Sequence, residues 1–296
     1  MTRIFPEFFP RFFCKADQCR HTCCQKWEID IDDETMQKYK NAPGPLGKEL
    51  QEWITKGEEG LPCFRFNEKG YCHFLTEKGL CRLILEKGPQ YLCQICRDHP
   101  RFYKYSYDSD KEEEIILAGT GLACERTVEQ LLEEPSELLF QSTDRTGPLD
   151  FLSLLSRLHL PLEKESCFFT PCFEKDYIQS LLKRLEQTNP IDREWTESLS
   201  LMEAHAEKLS EKASALSQKL SPWFLTNLER YILFRQLDEC EAYDPETAAR
   251  YAREAVIFIL LAYAETGDLI RSTTRWSEQI EYDTENVYIL LDSFDE

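Results

Sequence analysis

Several things are scarce in this sequence. The 296 residues include 11 glycines, 5 histidines and 3 methionines. No glycine-rich turn of the kind that carries a strand into a phosphate-binding helix is present, since Gly119-Thr120-Gly121 is an isolated fragment without the continuing spacing. An ordinary Rossmann cofactor site is therefore not expected. The longest uninterrupted apolar run, Ala255 to Ala264, is about half of the roughly 20 residues that a membrane-spanning helix needs. It reads as a buried helix, and no membrane association is expected. No fixed-period repeat or low-complexity tract is visible.

Positive charge is also in short supply: 35 Lys and Arg stand against 54 Asp and Glu, a formal charge of −19. Nucleic-acid binding needs a basic face to neutralise phosphates, so that class is set aside. A cationic partner is easier to accommodate, although a solvated acidic surface explains the same charge. The opening MTRIFPEFFPRFFC is Phe-rich but broken by Arg3, Pro6, Glu7, Pro10 and Arg11, which does not read as a secretory leader. A cytoplasmic location is the expectation, and a chain of this length buries a core without disulfide staples.

Composition shifts near residue 126, which predicts a cysteine-rich region over 1–126 and a helical domain over 127–296. In the first, Pro43-Gly44-Pro45 divides residues 35–56 into two short helical pieces. The runs CFRF, YCHFL and LCRLILEKG, separated by Gly-ended turns, predict a small β-meander carrying Cys63, Cys72 and Cys81. FYKYSY and EIILAG predict a hairpin leading to Cys124. Beyond it, helices are expected near 127–140, 151–162, 176–186, 195–220, 224–240, 245–266 and 274–293. The fold class expected is mainly α: a cysteine-rich N-terminal metal-binding region with small β-hairpins, then an all-helical C-terminal domain.

Cysteine is abundant. Of thirteen, ten lie in residues 1–124, four of them within Cys14–Cys24. In a reducing compartment, clustered cysteines point to metal ligation or redox work before structural disulfides. A thiolate site takes about four ligands converging from different segments, and Cys14, Cys19, Cys23, Cys24, Cys72, Cys81, Cys93, Cys96 and Cys124 are the candidates. The spacing departs from the paired knuckles of zinc fingers. Cys93-Gln94-Ile95-Cys96 is a CxxC without the βαβ context of a thioredoxin-type pair. Neighbouring Cys23 and Cys24 point apart, so one could ligate while the other packs inward; any single cysteine is equally readable as a small buried hydrophobe.

The run F-x-C-x4-C-x3-C-C-x2-W-x-I-x-I-D, here Phe12, Cys14, Cys19, Cys23, Cys24, Trp27, Ile29, Ile31 and Asp32, is followed by Cys72-His73-Phe74-Leu75, Gly79-Leu80-Cys81, Cys96-Arg97-Asp98-His99-Pro100-Arg101 and Leu122-Ala123-Cys124. In that order these residues resemble the flagellin lysine-N-methylase family, FliB, within a broader group of zinc- or iron-chelating CxxCxxCC proteins. Glu229-Arg230-Tyr231 and the stretch Arg275 to Tyr282 resemble it more weakly. Lys26 stands where the family usually has Gly, and His99 where it has Tyr.

The resemblance implies that Cys14, Cys19, Cys23, Cys24, Cys72, Cys81, Cys96 and Cys124 are the metal ligands. It implies an iron–sulfur cluster, [4Fe–4S] in type, with zinc as the alternative. The reaction implied is methyl transfer from S-adenosylmethionine to surface lysines of a protein substrate such as flagellin. Lysine, with a pKa of about 10.4, must be desolvated or deprotonated before it attacks the methyl group. Trp27, Tyr103, Tyr105 and Tyr107 offer ring faces that can hold a sulfonium or an ammonium group, but core and sheet packing is the ordinary reading of such residues and none is assigned a catalytic role. Arg97 and Arg101 are the candidates to pair with the cofactor carboxylate, and His21, His73 and His99 to serve as ligands or to support them. The rival reading is a non-catalytic zinc- or iron-chelating module, and a redox or metal-delivery protein using Cys93 and Cys96 is a third.

Overall fold

The N-terminal strand β1 (Thr2–Pro6) is built into the far part of the chain rather than into the cysteine-rich segment that follows it. A computed structural model describes residues 1–25, 27–57, 60–108 and 112–294, with Glu165 described by its backbone alone. Lys26 and the tip of the expected hairpin, residues 109–111, lie outside the described residues.

After β1 come α1 (Asp33–Lys40), α2 (Gly44–Glu52), β2 (Ile54–Lys56), β3 (Pro62–Phe64), α3 (Arg82–Lys87) and α4 (Gln94–Asp98). The next elements are β4 (Arg101–Asp108), β5 (Glu113–Thr120), α5 (Glu125–Glu133), β6 (Phe140–Ser142) and α6 (Phe151–Arg157). Seven helices complete the chain: α7 (Lys175–Glu186), α8 (Arg193–Ala204), α9 (Ala206–Ser217), α10 (Pro222–Arg235), α11 (Pro245–Thr266), α12 (Leu269–Gln279) and α13 (Thr284–Asp292).

Two units result: Phe13–Arg101, and Met1–Phe12 together with Phe102–Glu296. The boundary expected at residue 126 is thus displaced, and the reason is strand pairing. β1 lies parallel to β5, Ile4 opposite Leu117, and antiparallel to β6, Ile4 opposite Ser142, in a sheet of order β4-β5-β1-β6. The sheet takes its strands from both sides of the compositional shift, so the C-terminal part is not all-helical. β6 is three residues long and gives too short an alternation to stand out in sequence.

In the larger unit, Ile4, Ile115, Leu117 and Phe140 share a core with α10 and α11. α11 is its axis: fourteen of 22 residues are buried around the whole helix, as befits a helix enclosed by others. Asp244 caps it by accepting from the Glu246 and Thr247 amides at 2.9 and 3.0 Å, Pro245 opens it, and Gly267 at φ 75° ends it. The segment expected as one helix over 195–220 is two, broken at His205 (φ −117°, ψ 19°), and the last expected helix is likewise divided into α12 and α13. Among the described residues no helix is long and apolar enough to cross a membrane.

The motif residues 229–231 and 275–282 serve this core. The Tyr231 hydroxyl accepts from the Thr120 amide at 2.8 Å and donates to the Thr120 carbonyl at 2.7 Å. Trp276 is buried beside Tyr251, ring centroids 6.2 Å apart, and Arg235 meets Glu281 at 3.4 Å. Glycine at 119 is required by close packing, because a Cβ there would lie 2.4 Å from Phe102 and 2.8 Å from the Tyr231 hydroxyl.

Tyr231→Phe leaves a buried amide and carbonyl of Thr120 without their partner. The expected loss is about 1–3 kcal/mol of stability, read by urea denaturation; an unchanged midpoint would show that the Tyr231–Thr120 pair does not hold sheet to helix.

Candidate metal centre

Residues 29–32 organise the cysteine-rich unit. Ile29 and Ile31 are buried at alternate positions, and their strand-like segment pairs with β3: Ile31 donates to the Pro62 carbonyl at 2.8 Å and Phe64 to that of Ile29 at 3.2 Å. Asp32 then caps α1, accepting from the Thr35 amide at 2.9 Å, while its second oxygen accepts from the Gln94 amide at 2.8 Å at the start of α4. Burial pushes the Asp32 carboxyl up, but these amides together hold it below its usual range.

Around that frame, Cys72 and Cys93 are buried in one apolar cluster with Ile29, Ile31, Tyr39, Leu50, Phe64 and Phe74, and Cys24, Cys81 and Cys96 pack against it. The elements explain the convergence. The Cys72 amide donates to the Cys24 carbonyl at 2.9 Å, Cys81 is the residue before α3, Cys93 the residue before α4, and Cys96 lies one turn into it. The five thiols sense one another electrically. Burial raises Cys72 to about 12 and raises Cys81, with the neighbouring thiols adding to the effect. A hydrogen bond from the Cys23 thiol lowers Cys24 to about 7 against the cost of burial. Cys93 is lowered in the same way by Cys96, which is itself pushed far up.

All thirteen cysteines are free thiols. Of the eight expected ligands, the structure gathers Cys24, Cys72, Cys81 and Cys96. Among the described residues Cys14, Cys19 and Cys23 lie outside the apolar cluster: Cys14 and Cys23 are exposed and Cys19 half-buried, and Cys23 joins through its contact with Cys24. Cys124 belongs to the other unit, where it precedes α5. The ligand set read from the resemblance leaves out Cys93, whose signal was its CxxC spacing to Cys96. Cys63 is set apart, facing Glu28 and Asp30 rather than the other thiols.

The expected β-meander is reduced to the β2–β3 pair and to isolated bridges at Phe66–Cys72 and Leu75–Cys81. After Cys81 the chain turns helical as α3, closed by Gly88 at φ 85°. Among the described residues, no group of three or more Cys, His, Asp or Glu side chains stands in an arrangement that encloses a metal ion. The cluster suits a soft metal by its chemistry, five sulfurs in apolar surroundings, rather than by a preformed cage.

Histidine and arginine have settled partners here. The His73 ring lies flat on Trp53, centroids 3.8 Å apart, and meets Glu49 at 2.6 Å; Arg82 grips the same carboxylate at 2.9 and 2.6 Å. His73 and Arg82 each directly follow a cluster cysteine, so Glu49 on α2 ties Cys72 to Cys81. Trp27 donates its indole N–H to the Cys23 carbonyl at 2.6 Å and faces His99 at 5.4 Å. Arg97 is half-exposed and 3.9 Å from Asp98, and Arg101 opens β4.

Comparison with known proteins follows this geometry. A lysine-N-methylase of Salmonella typhimurium is 28% identical over 162 residues, 49% of this chain and 37% of that protein. Over that stretch the chain is similar to a lysine-N-methylase. A second, from Salmonella choleraesuis, is 27% identical over 162 residues with the same coverage. A flagellar biosynthetic protein, FliU, of Salmonella muenchen is 26% identical over 145 residues, 45% of this chain and 78% of that one. The match thus spans little more than a third of the lysine-N-methylases' length. No family model and no solved structure matches. The family resemblance read from the order of the cysteines is shown by these relatives.

The Glu49 carboxyl is held down to about 2, foremost by Arg82 and also by His73, against the cost of burial. Because its folded pKa lies below the unfolded value of about 4.3, its contribution is complete above that value and disappears as pH falls through about 2. Urea titrations of Glu49→Gln should show a deficit against wild type at pH 6 that narrows at pH 2.5. A deficit independent of pH would contradict the ion-pair account.

Proposed function

We propose that the chain is a protein-lysine N-methyltransferase of the flagellin type, using S-adenosylmethionine and a thiolate-held iron–sulfur cluster. The observation that carries this reading is the gathering of Cys24, Cys72, Cys81, Cys93 and Cys96, from three separate segments, in a relative of the lysine-N-methylases. Four of these five would be the ligands. Cys24 and Cys93 are already biased towards thiolate, the form that binds metal.

A [4Fe–4S] cluster held there would supply an electrophilic iron with an exchangeable position for the cofactor. This chain's own contribution is binding and orientation. Arg97 and Arg101, which flank the Cys96 turn, are the candidates to pair with the cofactor carboxylate. Trp27 lies beside His99 in the same unit, an aromatic surface of the sort that accepts a cationic sulfonium or amine. Before attack the target lysine must give its proton to water, which desolvation favours by penalising the ammonium form; its neutral nitrogen would then take the methyl group as the sulfonium's S–CH3 bond breaks and the thioether leaves. The protein partner is proposed to be flagellin, following the flagellar name of one relative.

The test begins with metal. Anaerobic reconstitution with iron and sulfide should produce absorption near about 400 nm, from sulfur-to-iron charge transfer. Cys93→Ser should lower the iron bound at least several-fold, whereas Cys63→Ser should leave it unchanged. Reconstituted protein, labelled cofactor and flagellin should then yield methyl-lysine by mass spectrometry. Colourless protein with stoichiometric zinc and no methyl transfer would replace this reading with the non-catalytic chelating module.

A further inference from the structure

The outer strand β4 carries a feature that the metal centre does not use. Phe102 packs against the core of its unit and Lys104 reaches Asp238 and Glu239 at 2.9 and 3.4 Å, so these alternate side chains point to one face. Tyr103, Tyr105 and Tyr107 point to the other, with 39%, 61% and 52% of their surfaces exposed. Three large rings in a solvent-facing row on the outermost strand of a sheet are uncommon, because exposed apolar patches and open edges invite association.

We propose that the Tyr103–Tyr105–Tyr107 row is a docking surface for an extended, lysine-bearing segment of a protein substrate. Three observations select that occupant. Arg3 lies over the Tyr103 ring at 5.8 Å, so one ring of the row already receives a cation. The surroundings are acidic: Glu112 and Glu114 are exposed where the neighbouring strand β5 begins, and the chain carries −19 overall. The repeat also matches. Alternate side chains of an extended segment recur about every 6.6–6.8 Å, the spacing at which alternate residues of a strand present their rings. A lysine at every second position would thus meet successive rings.

The word substrate rests on the methyltransferase reading, whereas the docking itself is measured without activity. The probe is a fluorescein-labelled peptide alternating lysine and threonine, followed by anisotropy against the full chain at low salt. Binding is expected to weaken at least tenfold when glutamate replaces lysine in the peptide, and again in the triple variant Tyr103→Ser, Tyr105→Ser, Tyr107→Ser. The triple Tyr→Phe variant, which keeps the ring faces, should bind within about twofold of wild type. Circular dichroism melts of each variant establish that the fold is retained.

Equal binding by the serine variant and wild type, or equal binding of the glutamate peptide, would overturn the proposal. So would a wild-type dimer that the serine variant dissolves, which would assign the row to a second copy of this chain. Peptide binding without methyl transfer would count against the enzymatic reading alone and leave the docking surface standing.

Discussion

The cysteine-rich unit depends on a single carboxylate with two jobs. Asp32 accepts from the Thr35 amide, which starts α1, and from the Gln94 amide, which starts α4, 62 residues later in the chain. α4 has five residues, far fewer than the roughly 12–15 at which an isolated helix becomes even marginal. Its place is therefore set by tertiary contacts, and the Asp32–Gln94 bond is one that fixes its first turn. Because Cys93 precedes that turn and Cys96 lies within it, the bond also sets where two thiols stand relative to the buried Ile29–Ile31 segment.

Electrostatics then limits what five gathered thiols can be. Burial penalises the thiolate, as the raised Cys72 and Cys81 show, and each added anion raises the cost for its neighbours. Two sites escape by pairing: Cys24 and Cys93 each receive a hydrogen bond from an adjacent thiol, at the expense of the donor in the second pair. Further deprotonation needs a compensating positive charge. The guanidinium that follows Cys81 is committed to Glu49 by two hydrogen bonds. A bound cation would supply that charge.

Legibility in the sequence followed the physical reach of each signal. Asp32 is a capping residue just before a helical segment, and the Pro43-Gly44-Pro45 break between α1 and α2 acts locally, so both were readable. That Cys24, Cys72, Cys81 and Cys96 come together in one apolar cluster was legible from the order of the cysteines, because a thiol-rich motif restricts residue type. Cys93 was the residue its own CxxC spacing favoured and the family pattern passed over. The segment after Cys81 misled because Leu83, Ile84 and Leu85 suit a buried strand as well as a helix, and Gly88 decided the matter by ending a turn that only helical context makes visible. β1 and β6 owe their existence to each other and to β5, partners more than a hundred residues away in the first case, and pairing of that kind leaves no local mark.

A division of labour follows. In the helical unit, several polar groups in and beside the motif stretches are paired internally: Tyr231 with both backbone groups of Thr120, Arg235 with Glu281, and Glu229 with Arg253 at 3.0 Å, although the second Glu229 oxygen and one Arg230 guanidinium nitrogen are buried without a hydrogen-bond partner among the described residues. Side chains so engaged would leave buried partners unsatisfied if they turned to a ligand, a cost of about 1–3 kcal/mol for each group abandoned. Packing and pairing of this kind account for the place of Tyr231, Arg235 and Trp276 in the fold. The two features proposed for function are the soft, thiol-rich cluster of one unit and the exposed aromatic row of the other. The two would call on different physics, since metal affinity at a thiol cluster would be governed by proton release and desolvation, whereas attraction of a cationic segment to an exposed, acidic, aromatic surface would be weakened by salt. A change confined to either should therefore leave the other's response to pH or ionic strength intact.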